Sequence, residues 1–205
     1  MKVLLVNGGP HPQGCTNRAL EEVEKALNEE GIETVNYFIP NTEMHDCIAC
    51  MSCRQTGQCV FDDAVNEFTA MAQEADGFVF GTPVFFAHPT GKLLSFMDRA
   101  FYSAKVNFAH KPAAAITSSR RAGNIVSMDV INKHFGNSEM PIITSNYWNE
   151  VHGQKPEEVE KDEEGLATMY ALGKNMAWIL KCIDAGKKAG IEIPQNVKKA
   201  TNFIK

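Results

Sequence analysis

Cys47, Cys50, Cys53 and Cys59 stand in the segment DCIACMSCRQTGQC, spaced C-x2-C-x2-C-x5-C. Thiolates so close in sequence can hardly be spread through a core. They can close around one inorganic centre, and soft sulfur ligands favour an iron–sulfur cluster or zinc. Zinc sites usually pair two C-x2–4-C units across a longer spacer, which this run lacks. A redox-active C-x-x-C pair fits less well, because nothing around it resembles the thioredoxin pattern. The bland alternative is that these cysteines are small packing groups or plain loop thiols. Of the other two cysteines, Cys15 lies in a glycine- and proline-rich loop, and Cys182 sits on an apolar helix face and is expected in the core.

That first loop runs Gly8-Gly9-Pro10-His11-Pro12-Gln13-Gly14-Cys15-Thr16-Asn17. It follows a strand and opens onto a helix N-terminus, where free backbone N–H groups and the positive helix end suit a phosphate. Thr16 and Asn17 add side-chain donors. The pattern is neither a dinucleotide G-x-G-x-x-G nor a Walker A loop. A plain strand–helix connection is the competing reading, and the loop's length and composition favour the phosphate.

These loops need a scaffold. Val3–Val6 is a short apolar strand, and Arg18 to about Glu30 has helical apolar spacing. Strands are expected at Thr34–Ile39, Gly77–Phe80, Ala113–Ile116 and Pro141–Thr144. Helices are expected at Asp62–Ala75, Thr90–Tyr102, up to about His134, and Leu166–Ala189. A polar, acidic loop is expected over about Ser145–Glu164, and its acidic run Glu157–Glu164 reads as solvated loop or helix start. Alternating strands and helices imply an α/β fold with a parallel sheet covered on both faces. Five strands suit a flavodoxin-like three-layer sandwich, order 2-1-3-4-5, with ligand beyond the carboxyl ends of the strands. With no repeat or linker, residues 1–205 read as one domain carrying a cysteine-rich loop at 47–59.

Three loops together resemble the NADPH-dependent FMN reductase group of the flavodoxin-like superfamily. In the first, Gly8, Pro10, Gly14 and Thr16 match, whereas Gly9 and His11 replace the group's serine and arginine. In the second, GTPVFFAHPTGKLLSFMDRA, the matches are Gly81, Thr82, Pro83 and Val84, with Asp98 and Arg99 further on; Phe85 replaces tyrosine. The third is Ser118-Ser119-Arg120-Arg121-Ala122-Gly123-Asn124. The resemblance implies an FMN site built from Gly9, His11, Gly14, Cys15, Thr16, Asn17, Thr82, Pro83, Val84, Phe85, Phe86, Ser118, Ser119, Arg120, Arg121 and Gly123. Val84, Phe85 and Phe86 would wall the flat ring. Arg120 or Arg121 would stabilise negative charge on the flavin. Tyr147-Trp148-Asn149 and His152-Gly153 also resemble a stretch of such proteins, without an assigned role.

The cysteine spacing, followed by Val60-Phe61-Asp62-Asp63, resembles that of archaeal-type iron–sulfur flavoproteins. That resemblance implies a [4Fe-4S] cluster on Cys47, Cys50, Cys53 and Cys59. Cluster-free members of the wider family carry similar cysteine patterns, so both readings stand at this point.

Composition narrows the partners. The 205 residues carry a net charge of −5 without a basic block, which disfavours nucleic acid. No stretch approaches a membrane span, and MKVLLV is too short for a signal peptide, so a cytoplasmic location is expected. There thiols stay reduced, which favours a metal or cluster site over disulfides. The expectation is an FMN-dependent oxidoreductase with NAD(P)H as co-substrate and a small-molecule or protein electron acceptor. It is expected to form a homo-dimer or tetramer. An electron carrier fed by ferredoxin, or a non-catalytic metal-binding or redox-sensing module, are the alternatives.

Overall fold

The computed structural model describes residues 1–103, 108–197, 199, 201 and 203. In chain order the elements are β1 (Lys2–Asn7), α1 (Cys15–Glu29), β2 (Glu33–Phe38), α2 (Cys53–Thr56), α3 (Ala64–Gln73) and β3 (Gly77–Pro83). Then come α4 (Gly91–Ser103), β4 (Ala113–Ser119), α5 (Asn124–Asn137), β5 (Glu150–His152), α6 (Pro156–Val159) and α7 (Glu163–Lys188). The strands form one parallel sheet in the order β2-β1-β3-β4-β5. This is the flavodoxin-like order that the alternating pattern implies.

Both faces of the sheet are covered, so its central strands are continuous apolar runs rather than alternating ones. On one face Leu4, Val6, Phe78 and Phe80 pack with Val65, Phe68, Phe96 and Phe135 from α3, α4 and α5. On the other, Val3, Leu5, Val79 and Ile116 pack with Leu20, Val23, Met169 and Leu172 from α1 and α7. Phe68 meets Phe80 and Phe96 edge-on, a ring geometry that adds to area burial. Phe96 is core, as its helical spacing suggests. Cys182, expected in the core, is exposed, and Leu94 is only half-buried. No helix among the described residues is long and apolar enough to cross a membrane.

The fifth strand differs from the sequence reading. Pro141–Thr144 contributes a single bridge, Ile142 to Ala113, and the named strand lies at Glu150–His152. Proline at 141 has no N–H to give. The chain makes two ladder bonds there, Ala113 N–H to Pro141 O and Ile143 N–H to Ala113 O. It then leaves the sheet in a turn, where the Ser145 hydroxyl bonds to Tyr147 O and to Asn149 Oδ1. The Asn149 amide spans the gap by donating to Ala115 O at 3.1 Å. Pairing with β4 resumes at Thr117–Ser119. The Ser145–Glu164 segment, expected to be polar loop, therefore holds β5, and its acidic run carries α6 and the start of α7, as the helix-start alternative has it. Its Gly153 N–H donates to Ser119 O, which brings the chain after β5 to the carboxyl edge of the sheet.

Candidate functional site

A cavity of about 450 Å³ opens at the carboxyl ends of β1, β3 and β4. That is the size of a small-molecule pocket, in the position expected for a doubly wound sheet. Gly9, His11, Gly14, Cys15, Thr16, Pro83, Val84, Phe85, Ser118, Ser119 and Arg120 line it together, so all three loops converge. Pro10, Gln13, Gly153, Gln154, Lys155 and Pro156 complete the lining.

The first loop is held from beneath. The Asn7 side chain, at the end of β1, accepts from Gly9 N–H at 2.9 Å. Lys92 Nζ donates to Gly9 O (3.0 Å), Ile39 O (2.7 Å) and Asn41 Oδ1 (2.9 Å). All three acceptors are neutral, and burial pushes the Lys92 ammonium below its usual pKa. Asn41 donates in turn to Pro10 O. Thr90 Oγ1 donates to Gly8 O at 2.8 Å. Thr16 and Ser118, both buried, share a 2.8 Å hydroxyl–hydroxyl bond that ties the first loop to the third. Sequence reading missed Asn7, Lys92, Asn41 and Thr90, because none of them touches the cavity.

The donor chemistry suits a phosphate. Helix α1 starts at Cys15 with no side-chain cap and no acidic residue in its first turn. Its free N–H groups are left for an anion. His11, Arg120 and Lys155 are exposed on the cavity, and no Asp or Glu lines it. Pro83, Val84 and the half-exposed Phe85 give one apolar wall. Cys15 carries no nucleophile's signature: burial pushes its thiol above the usual pKa, and nearby Glu158 and Glu157 add to that. Its Sγ instead points at Gly153 O, 3.5 Å away.

Five residues named from the resemblance lie off the lining. The Thr82 hydroxyl donates to Pro83 O and accepts from Thr90 N–H, so it shapes the turn instead of facing the cavity. Asn17 bonds to Glu21 along α1. Gly123 has φ +94, and a Cβ there would come within 2.7 Å of Ala87 Cα and 2.8 Å of Val84 Cγ1. Glycine at 123 lets the third loop pack on the second. Phe86, at φ 53, is fully exposed, and Arg121 is exposed beside Arg120.

The cysteines occupy a second place. Cys47, Cys50, Cys53 and Cys59 line one small cavity of about 20 Å³ with Phe61, Arg99, Tyr102 and Ser103. Ala49 (φ 52) and Met51 (φ 60) adopt the left-handed region, unusual for residues with a Cβ, and they curl the loop between cysteines. No His, Asp or Glu lines this cavity, so its ionisable sulfur donors are the four cysteines, the set for a cubane cluster. Ser103 Oγ, also on it, is buried without a hydrogen-bond partner among the described residues. The thiols are not yet closed on a point: among the described residues no three His, Cys, Asp or Glu are gathered to hold a metal ion.

Arg99, on α4, lies under this loop and is 1% exposed. It forms a two-pronged ion pair with Asp63, at 2.7 and 2.8 Å. Burial opposes its charge, but the hydrogen bonds and charges of Asp63 and Cys59 outweigh that, raising its pKa. Asp63 also caps α3 through Val65 N–H.

Residues 1–155 match the NADPH-dependent FMN reductase family. The chain belongs to that family. It is similar to an iron–sulfur flavoprotein of Methanocaldococcus jannaschii, 32% identical over 192 residues that span 89% of this chain and 99% of the relative. An iron–sulfur flavoprotein of Methanosarcina thermophila is 26% identical over 191 residues, spanning 91% and 99%. Among solved structures, a flavodoxin from the Archaea superposes with a TM-score of 0.62 at 16% identity, over 88% of this chain and 99% of that one. RosB, solved with 8-demethyl-8-formylriboflavin-5'-phosphate, gives 0.68 at 12% identity, over 100% and 92%. These two establish the fold. Membership of the FMN reductase family supports a flavin oxidoreductase.

Proposed function

We propose that this chain is an FMN-dependent oxidoreductase that takes reducing equivalents from NADH or NADPH and passes them to an acceptor such as a quinone, a flavin or a nitro compound. The observation that carries this reading is the cavity in which three strand-end loops meet, cationic and free of acids, with one apolar wall. Bound FMN would supply hydride acceptance and release of electrons. The chain's residues would do the rest. The N-terminus of α1, with Gly9, Gly14 and Thr16, would hold the phosphate, and His11 and Lys155 would add charge. Phe85 and Val84 would shield one ring face from water. Arg120 would offset negative charge as the ring is reduced.

A second reading adds a one-electron centre: Cys47, Cys50, Cys53 and Cys59 would hold a [4Fe-4S] cluster, making the protein an electron carrier between ferredoxin-type donors and acceptors. Favouring it are the four sulfurs around one cavity and the two iron–sulfur flavoprotein relatives. Exposed Tyr147, Trp148, Phe85 and Phe86 offer apolar area for a homo-oligomer.

The test is anaerobic mixing of the FMN-loaded protein with NADH, NADPH or reduced ferredoxin. Bleaching of the flavin absorption by a nicotinamide within seconds supports the first reading. Bleaching by ferredoxin alone supports the second. A folded protein that takes up no FMN contradicts both.

A further inference from the structure

Arg99 reaches both ends of the cysteine loop. Before Cys47, its Nη1 donates to His45 O at 3.4 Å. After Cys53, its Nε donates to Cys59 Sγ at 3.2 Å and its Nη2 to Phe61 O at 3.4 Å. The guanidinium lies over the Phe61 ring, and the His45 ring stacks on Phe61 with centroids 4.4 Å apart. A rigid, planar, five-donor group can make all these contacts together; a lysine cannot. This arrangement exceeds what anchoring an exposed loop needs, because, of the bonds to the loop and its two flanks, the shortest goes to the Cys59 sulfur, a weak acceptor when neutral and a good one when ionised.

We propose that Arg99 is the positioning residue of the cysteine site: its Nε–H holds Cys59 Sγ on the shared cavity and stabilises the more negative, reduced state of the cluster bound there. The inference rests on the iron–sulfur reading of the four cysteines. Adding one electron to a cluster makes and breaks no bond but increases the negative charge on its sulfurs, so a donor to a ligand sulfur raises the potential. Asp63 opposes this effect, since its carboxylate neutralises much of the guanidinium field. Arg99 and Asp63 therefore pull the potential in opposite directions.

The experiment is a mediated redox titration, followed by the paramagnetic signal of the reduced cluster, on anaerobically reconstituted wild type, Arg99→Lys and Asp63→Asn. Iron, sulfide and FMN are assayed in each. With equal cluster content, Arg99→Lys lowers the one-electron reduction equilibrium about tenfold, ~59 mV more negative. Asp63→Asn, which keeps the Nε–Sγ bond, raises it about threefold. A shift of both variants in the same direction, or of neither, overturns the proposal and leaves Arg99 a structural anchor. If Arg99→Lys fails to fold, Asp63→Asn decides alone, and a potential that stays or falls is the contrary result. If wild type takes up FMN but no iron, the cluster reading itself has failed and the proposal with it. Nuclear magnetic resonance of the Arg99 Nε–H in the metal-free chain then separates the causes. Slow proton exchange that is released in Cys59→Ala shows the bond without a cluster; fast exchange shows no bond at all.

Discussion

The flavin-sized cavity and the cysteine loop lie on one molecule and are built by opposite means. Around the cavity, the loops are cross-braced before any ligand is considered: Asn7 to Gly9, Thr16 to Ser118, Lys92 to three neutral oxygens. The cysteine loop is braced at its base by Arg99 and by Asn66, whose amide bonds to Cys59 and Phe61, and beyond that by exposed side-chain bonds to α4, linking Tyr102 with Met51 and Arg54, and Ser95 with Asp46. Above that base, the side chains from Asp46 to Met51 are exposed. A site that recognises a ligand through backbone N–H groups must be rigid in advance, since small displacements forfeit hydrogen bonds. A site closed by metal–sulfur bonds can wait, because the bonds themselves supply the ordering free energy.

The comparison breaks most cleanly at one cysteine. Cys50→Ala is expected to abolish the iron complement while leaving FMN uptake within about twofold, measured by iron assay and fluorescence titration; joint loss would mean the two regions are one folding unit. On the cavity side, Gly9→Val sets a branched side chain where a Cβ already lies 3.1 Å from Asn7 Oδ1 and 3.3 Å from Pro83 Cδ. FMN affinity should fall on the order of 100-fold, roughly 3 kcal/mol, with iron content unchanged. Lys92→Met removes three donations from outside the cavity. A loss of about tenfold in FMN affinity is expected, and an unchanged affinity would show that the loop needs no brace.

The smallest effect is expected far from both sites. Glu30 accepts from Lys174 and Lys181, tying the end of α1 to α7. These bonds hold its pKa down at about 2, against 4.5 ordinarily. A depressed carboxyl stabilises the fold fully above its unfolded pKa and loses that contribution as pH falls through the folded one. Glu30→Gln should lower Tm by at most a few degrees at pH 7, and the difference should vanish near pH 2. A difference that grows in acid would reverse the assigned sign.

Much of this was legible in the residues. Apolar runs at Val3–Val6, Gly77–Phe80 and Ala113–Ile116 located three strands, and helical periodicity located α1, α3, α4 and α7. Loops defined by glycine, proline and hydroxyl residues pointed to the cavity, because backbone-mediated sites leave compositional traces. The fifth strand did not, since its pairing depends on the Asn149 side chain and a proline where a donor was expected. That misplacement left Gly153 without a role and hid Gln154–Pro156, which with it reach the cavity because β5 ends at His152. Lys92, and the role of Arg99, though that residue matches the family motif, were hidden for another reason. Each is a cation on an amphipathic helix whose partners are backbone oxygens or residues distant in sequence, and no periodicity marks such a role. Conversely, Thr82 sits in a matching motif, yet its hydroxyl is consumed by the turn.

The measurement closest to the central claim is anaerobic purification with FMN, iron and sulfide stoichiometry, followed by removal of iron and a second FMN titration. The account predicts about one FMN with about four iron and four sulfide per chain, and an FMN affinity that survives iron removal within about twofold. A folded chain that binds no FMN, or one whose FMN leaves with the iron, would contradict it.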